Sequence, residues 1–334
     1  MQKGTQKPPP NASLTTDRAK PQRLVSIGIL TYKRPDGLQR CLQSVQVRLR
    51  QSLPDPWSLN EILVIDNDPE GSARAVVPAD PATTGDDTSR PCPIRYVPEP
   101  APGIAAARNR ALAEADGDVL VFIDDDEVAE QGWPHELLKL MDDSGAAMVG
   151  GPVRSHFDVS PPAWILEGGF FDRDDPPHGS RQSWLRSGNL AIDLHQIRAA
   201  GIRFDRRFPQ GEDSAFSRLA QARGLDLRWS ARGAITEFVR SDRFEVGWRL
   251  RREYSGHRAW TRSSLDLAGG RLARLATRLR TIAVAAARIG TGLGHLARSL
   301  PTRNKAKAVR GLIDLVGGAG NLVETAVYHP PRQQ

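Results

Sequence analysis

Short apolar runs that stop at acids alternate along this chain with longer stretches whose apolar residues keep helical spacing. Val119-Leu120-Val121-Phe122-Ile123 runs straight into Asp124-Asp125-Asp126-Glu127. A run apolar on both faces suits a strand buried inside a parallel sheet. Four successive acids cannot follow it into the core, because an unpaired buried charge is costly. The strand therefore ends there, with its carboxylates at the C-terminal edge of a sheet. In open α/β sheets that edge is where ligands bind. Residues 24–30 form a first apolar strand, and Glu61-Ile62-Leu63-Val64-Ile65-Asp66-Asn67-Asp68 is a second that stops at acids. Between them Pro35 suits the first turn of a helix, and Leu38, Cys41, Leu42 and Val45 keep its spacing. Together these make a βαβ unit.

Residues 51–60 read as Pro-rich loop and 78–93 as a flexible insertion rich in Pro, Thr, Asp and Ser. A short strand at 94–97, a helix at 104–115 and a helix from Pro134 to about Met141 follow, then a strand at 146–153. Residues 154–182 change texture, with Pro161-Pro162, Gly168-Gly169, several acids, and the aromatics Phe157, Trp164, Phe170 and Phe171. A long irregular segment with aromatics reads as a binding loop or lid, and Trp164 and Phe170 are candidates to stack on a sugar or simply to pack. A strand resumes at 187–192, with a short helix at 194–200. Gly211-Glu212-Asp213 opens a helix that reaches about Arg223, and 225–229 alternates like a half-exposed strand. A basic helix follows Asp242 to about Thr261. Residues 265–300 are amphipathic, 301–307 break them, and 308–328 are apolar with a Gly317-Gly318-Ala319-Gly320 interruption.

Composition narrows this picture. The chain has 334 residues, 39% hydrophobic and 25% charged, as a folded α/β protein has. Residues 1–23 are polar and Pro-rich, with no signal-peptide core, and read as a disordered leader. No run is apolar for long enough to span a bilayer. Cys41 and Cys92 are the only cysteines and suggest neither a zinc site nor a disulfide framework, which favours a reducing, cytoplasmic location. The net charge of +7 is uneven: residues 265–334 hold eleven Lys/Arg against three acids, a net of +8, which leaves −1 for residues 1–264. The domain expectation is thus a leader over 1–23, a catalytic domain over 24–263, and a basic helical region over 264–334. That last region has three readings: a membrane-interface helix through 265–328, a hairpin packed on the catalytic domain, or a nucleic-acid binder. Amphipathicity without interleaved aromatics disfavours the third, and no nucleic acid is expected.

Three acidic strand ends on one edge, at Asp66–Asp68, Asp124–Asp126 and Glu212-Asp213, suit transfer from a nucleotide sugar. A carboxylate can accept hydrogen bonds from a nucleoside, a divalent metal can neutralise a leaving diphosphate, and another carboxylate can take an acceptor's proton. The helix N-terminus favours ionised Glu212 and Asp213, as it would for any acidic cap, and Gly211 supplies either a turn or a close approach.

The motifs Val25-Ser26-Ile27-Gly28-Ile29-Leu30-Thr31-Tyr32-Lys33-Arg34, Val64-Ile65-Asp66-Asn67-Asp68, Ala107-Arg108-Asn109, Phe122-Ile123-Asp124-Asp125-Asp126, Ser187-Gly188-Asn189 and Gly211-Glu212-Asp213 resemble, in this order, the family 2 glycosyltransferases of the GT-A fold. The resemblance covers residues 24–260 and implies a mixed α/β sheet flanked by helices. It places Thr31, Asp66 and Arg108 at the nucleoside, usually uridine, and Asp124 and Asp125 at the ribose or in support of the site. Asp126, with Asp124, would hold Mn²⁺ or Mg²⁺, Gly188 and Asn189 would lie near the sugar or the acceptor, and Asp213 would be the base of an inverting transfer. Glu212 would orient the acceptor or be the base instead. The implied partners are a UDP-sugar donor and a glycan or lipid-linked acceptor; the expected location is cytoplasmic, and peripheral on the inner face of the membrane if 265–328 lies in the interface. One departure is that the place where many such enzymes carry a metal-binding His reads Ala234-Ile235-Thr236-Glu237-Phe238-Val239, which leaves Glu237 to bind metal or His257 to reach the diphosphate, although His257 reads by itself as one polar residue on an amphipathic helix. The segment from Thr236 to Arg252 is similar to a subgroup that builds bacterial exopolysaccharides. The rival readings are a nucleotidyltransferase, disfavoured by the lack of a Gly-rich loop after the first strand, and a non-catalytic membrane or nucleic-acid binder on a degenerate transferase fold.

Overall fold

A computed structural model describes residues 21–49, 53–77 and 93–330. Nearly all of the expected leader, almost the whole insertion at 78–93 and the first residues of the 51–60 loop lie outside the described residues. The chain begins β1 (Arg23–Thr31), α1 (Pro35–Leu49), β2 (Trp57–Asp66), β3 (Ile94–Pro98), α2 (Ile104–Glu114) and β4 (Val119–Asp124). It continues β5 (Glu127–Ala129), α3 (His135–Ser144), β6 (Met148–Gly150), β7 (Val153–His156), α4 (Ala163–Gly168), β8 (Leu190–Asp193) and α5 (Leu194–Ala199). Last come α6 (Glu212–Ala222), β9 (Leu227–Trp229), β10 (Ile235–Phe238), α7 (Val246–Leu267), α8 (Gly270–Ser299) and α9 (Lys305–Val327).

The large sheet has seven strands in the order β3-β2-β1-β4-β8-β6-β9. β3, β2, β1 and β4 are mutually parallel, and β8 runs antiparallel to β4 and β6. Apolar layers cover both faces. Leu38, Cys41, Leu42 and Val45 of α1 join Leu137, Leu138 and Met141 of α3 on one face. Ala105 and Ala111 of α2, Ile197 of α5, and Phe216 and Ala220 of α6 lie on the other. The expected mixed sheet between helices is therefore present.

Four expectations need correction. β2 starts at Trp57 rather than Glu61, because Trp57 pairs with Arg23 and is buried beneath its guanidinium, 4.2 Å from the ring centre. The strand expected at 146–153 is two strands. Pro152 has no N–H to donate, and a Cβ on Gly151 would lie 2.5 Å from Asn189 Nδ2, so the chain leaves the large sheet there. β7 instead joins a small sheet, β5-β10-β7. Residues 154–182 are partly regular, and Trp164 and Phe170, with rings 5.3 Å apart, pack in a closed cluster with Ile165, Val309 and Ile313. They are packing residues, not a platform for sugar. Finally, α7 continues beyond Thr261 to Leu267, through the expected domain boundary.

The C-terminal helices form an antiparallel hairpin, with Gly292 against Gly311 and Ala285 against Gly318. α9 runs unbroken through Gly317-Gly318-Ala319-Gly320. A Cβ at Gly317 would meet His257 of α7 at 2.7 Å, and one at Gly320 would meet the Tyr254 carbonyl at 2.7 Å. These glycines let three helices approach closely, at a helix-propensity cost of about 1 kcal/mol each.

Candidate active site

Parallel pairing sets the frame. Thr31 pairs with Asp66, and Leu30 with Asp124, so β1, β2 and β4 end side by side with their polar residues on one edge. The acidic run leaves this edge and enters β5, so it connects the large sheet to the small one.

Asp125 anchors that turn. Its carboxylate accepts from Thr31 Oγ1 (2.8 Å), Arg34 Nη1 (2.9 Å) and the Tyr32 amide (3.3 Å). Thr31 and Asp125 are therefore engaged with each other, and Asp125 supports the turn. Asp126 faces two guanidiniums: its Oδ2 accepts from Arg34 Nη1 (3.0 Å) and Arg243 Nη2 (2.8 Å). Arg243 also donates to Glu237 of β10 (2.6 Å), which in turn pairs with Arg173. Glu127 lies deep in the turn and accepts the Asp124 amide (2.8 Å). Burial, with Asp124 and Asp126 nearby, pushes the Glu127 carboxyl well up.

Arg108 joins the acidic turn to α6. It is buried, pairs with Glu212, and lies 3.7 Å from Asp124 Oδ1. Burial works against its charge, but Glu212 and Asp124 more than compensate and hold its pKa above the usual value. Burial raises the pKa of Glu212 to about 7 against the pull of Arg108, and that of Asp124 to about 6. Asp213 is only half-buried; among the described residues its carboxylate accepts from its neighbour Ser214, through the amide (2.6 Å) and the hydroxyl (3.3 Å), and its carbonyl from Ser217 Oγ (2.9 Å). Gly211 caps α6 at φ +75°, and its bare Cα lets Ala259 of α7 approach. The close approach is thus to a helix.

Other expected residues turn inward. Asp66 accepts from the Asp68 and Ala73 amides and from Tyr96 Oη, so it shapes the loop after β2. Asn189 is a strut: its amide nitrogen donates to the Pro152 and Gly233 carbonyls and its oxygen accepts from Trp133 Nε1. Gly188 is needed for closeness, since a Cβ there would lie 2.5 Å from Glu127 Oε1. His257 lies in the α7–α9 interface, where Gly317 packs on its ring, and is no part of this edge. The pattern of acids did not reveal Arg34, Arg243 and Arg173. Their signal was the need of so many clustered carboxylates for cationic partners. Within the 154–182 segment, a cavity of about 420 Å³ is lined by residues that include Val153, Ser155, Phe157, Phe171 and Arg173.

The donor chemistry fits a divalent cation. Asp124 Oδ1 is buried with no hydrogen-bond partner, and Asp126 engages its arginines through Oδ2 alone. No group of three or more His, Cys, Asp or Glu suited to a metal occurs among the described residues. That is compatible with Mg²⁺-type binding, which uses one or two carboxylates plus substrate phosphates.

Comparison with known proteins agrees with this geometry. Residues 26–193 match glycosyl transferase family 2. The chain is similar to succinoglycan biosynthesis protein ExoM of Rhizobium meliloti (strain 1021), 32% identical over 240 residues, which cover 69% of this chain and 72% of that protein. It is also similar to glycosyltransferase AglE of Haloferax volcanii, 28% identical over 206 residues, covering 62% and 64%. A crystal structure of GalNAc-T7 with UDP, GalNAc and Mn²⁺ superposes with a TM-score of 0.50 at 14% identity, over 73% of this chain and 48% of that one. That likeness is one of fold, the GT-A fold. With half the chain matched and a relative aligned across most of its length, the chain belongs to glycosyl transferase family 2 and is a glycosyltransferase.

Proposed function

We propose that the chain moves a sugar from a UDP-sugar to a hydroxyl of a growing glycan or lipid-linked saccharide, with inversion, in a bacterial polysaccharide pathway on the cytoplasmic side of the membrane. The observation that carries this is the division of labour at the start of α6. Arg108 holds Glu212, while the carboxylate of Asp213 beside it is hydrogen-bonded, among the described residues, only to Ser214, with the Arg186 charge nearby. Asp213 is thus the carboxylate placed to take the proton of an acceptor hydroxyl. Glu212, fixed by Arg108, aligns the first turn of α6 against the Asp124 edge. Asp124 and Asp126 would hold a divalent cation, which, when bound, neutralises charge on the leaving diphosphate. Arg243 and Arg173 bring two more positive charges to the same mouth. The names of ExoM and the UDP-bound GalNAc-T7 structure support the pathway and the donor.

Calorimetric titration of UDP, with Mn²⁺ and with EDTA, tests the donor site in wild type and Asp126→Ala. Binding should require Mn²⁺ and disappear in the variant. Absence of UDP binding in both conditions would remove the UDP assignment, and GDP and dTDP would then be the donors to try.

A further inference from the structure

We infer that the solvent-facing side of α8 docks on the surface of an anionic lipid bilayer. α8 has two apolar faces. One closes on α9 through Ala285, Gly292 and Ser299, which are buried. The other carries Leu272, Leu275, Leu279, Ile282 and Leu293, continued by Leu300 just past the helix end, between 44% and 83% exposed. Their separations of three, four, seven and eleven residues keep them on one stripe of the helix. A single exposed leucine means little, but six on one stripe, four of them clustered within residues 272–282, mark an interaction surface. At 1.5 Å per residue the helix is about 45 Å long and would lie along a surface. No described helix is long and apolar enough to cross a membrane.

Charge selects the occupant. α8 contains no acid. The three acids of residues 265–334 are all paired internally: Asp266 with Arg207, Asp314 with Arg288 and His295, and Glu324 with Arg258 and Arg262. Arg271, Arg280 and Arg298 are exposed and form no ion pair among the described residues. Leucine in the acyl boundary with arginine at headgroup level is the arrangement of an interfacial helix, and anionic headgroups supply the missing counter-charge. A second copy of the chain would set arginine against arginine with no acid at the seam, which disfavours self-association. α8 has no aromatic residue with which to stack on a nucleobase.

The test is sedimentation of the full chain with phosphatidylcholine vesicles and with vesicles that also contain phosphatidylglycerol. Affinity for the anionic vesicles should be higher on the order of tenfold or more, and should fall as salt rises. Leu279→Glu with Leu293→Glu should abolish binding while leaving the circular dichroism and melting transition unchanged, since both residues are exposed. Arg271→Ala with Arg280→Ala should weaken anionic binding by roughly tenfold or more and leave the weaker neutral-lipid binding intact. The proposal is overturned if wild type binds neither vesicle, if it binds duplex DNA and not vesicles, or if it is a dimer that the leucine variant dissociates. None of these readouts uses donor or turnover, so a failed UDP titration would leave this result standing.

Discussion

Arg108 sits between Glu212 and Asp124, and its burial makes it a structural and an electrostatic element at once. Removing one member of a buried ion pair typically costs about 3–5 kcal/mol, because the other charge is left uncompensated. Arg108→Met should therefore lower unfolding free energy by about that amount in urea titrations. Arg108→Met with Glu212→Leu should recover most of the stability and none of the transferase activity. Asp213→Asn should leave UDP affinity and melting intact while turnover falls on the order of a thousandfold, the contribution expected of a general base. If turnover is retained, the base lies elsewhere. Asp124 gives a pH signature. Its native pKa of about 6, raised by burial, exceeds the unfolded value of about 4, so the native state holds the proton more tightly. The group contributes stability below about pH 4, and this is lost as pH rises through about 6. Asp124→Asn should thus raise the melting temperature at pH 8 relative to its effect at pH 5, by roughly 1–2 kcal/mol of stability. Equal effects at both pH values would show that the carboxylate is not strained by burial. The acids themselves were legible in the sequence because they interrupt apolar runs. Their partners were not: Thr31, Asp66 and Asn189 are polar residues in the right motifs, yet their hydrogen bonds go to Asp125, to the loop after β2 and to two backbone carbonyls, pairings set by tertiary structure.

Among the elements, the strands that stop at acids were read almost to the residue, because the end of an apolar run and the end of a buried strand have one physical cause. Pairing moved what hydropathy alone had placed. Trp57 to Asn60 became strand through contact with β1, and Gly151-Pro152 divided one apolar run between two sheets. Glycines record the same constraint from the other side. Gly188 lies where a methyl group would meet the Glu127 carboxylate, and Glu127 holds the Asp124 amide. Gly188→Ala should displace this turn and weaken Mn²⁺-dependent UDP binding on the order of tenfold, as loss of support behind a metal-binding residue does. Unchanged calorimetric affinity would mean that the loop yields without disturbing Asp124.

At the scale of the molecule, the basic C-terminal fifth was visible in composition, and a hairpin packed on the catalytic domain was one of its three readings, but which faces meet was not legible. Periodicity reveals an apolar face; it does not reveal that α8 has two and that α9 is pressed against α7 and the lid helix. A chain cut after Ala268 would uncover Trp164, Ile165 and Phe170, so it should melt lower and aggregate on heating, as light scattering would register. An unchanged transition would make the hairpin a separable appendage. The acidic turn between the two sheets has a consequence of another kind. On the proposed reading, the donor edge is built by the first four strands, whereas the lid and the small sheet, apart from β5, come from later, contiguous stretches of the chain. Variation in those later stretches, Arg173 and Glu237 apart, would retune which saccharide is accepted while the nucleotide chemistry is inherited unchanged, and descendants of one such enzyme would diversify their products from a constant donor pool.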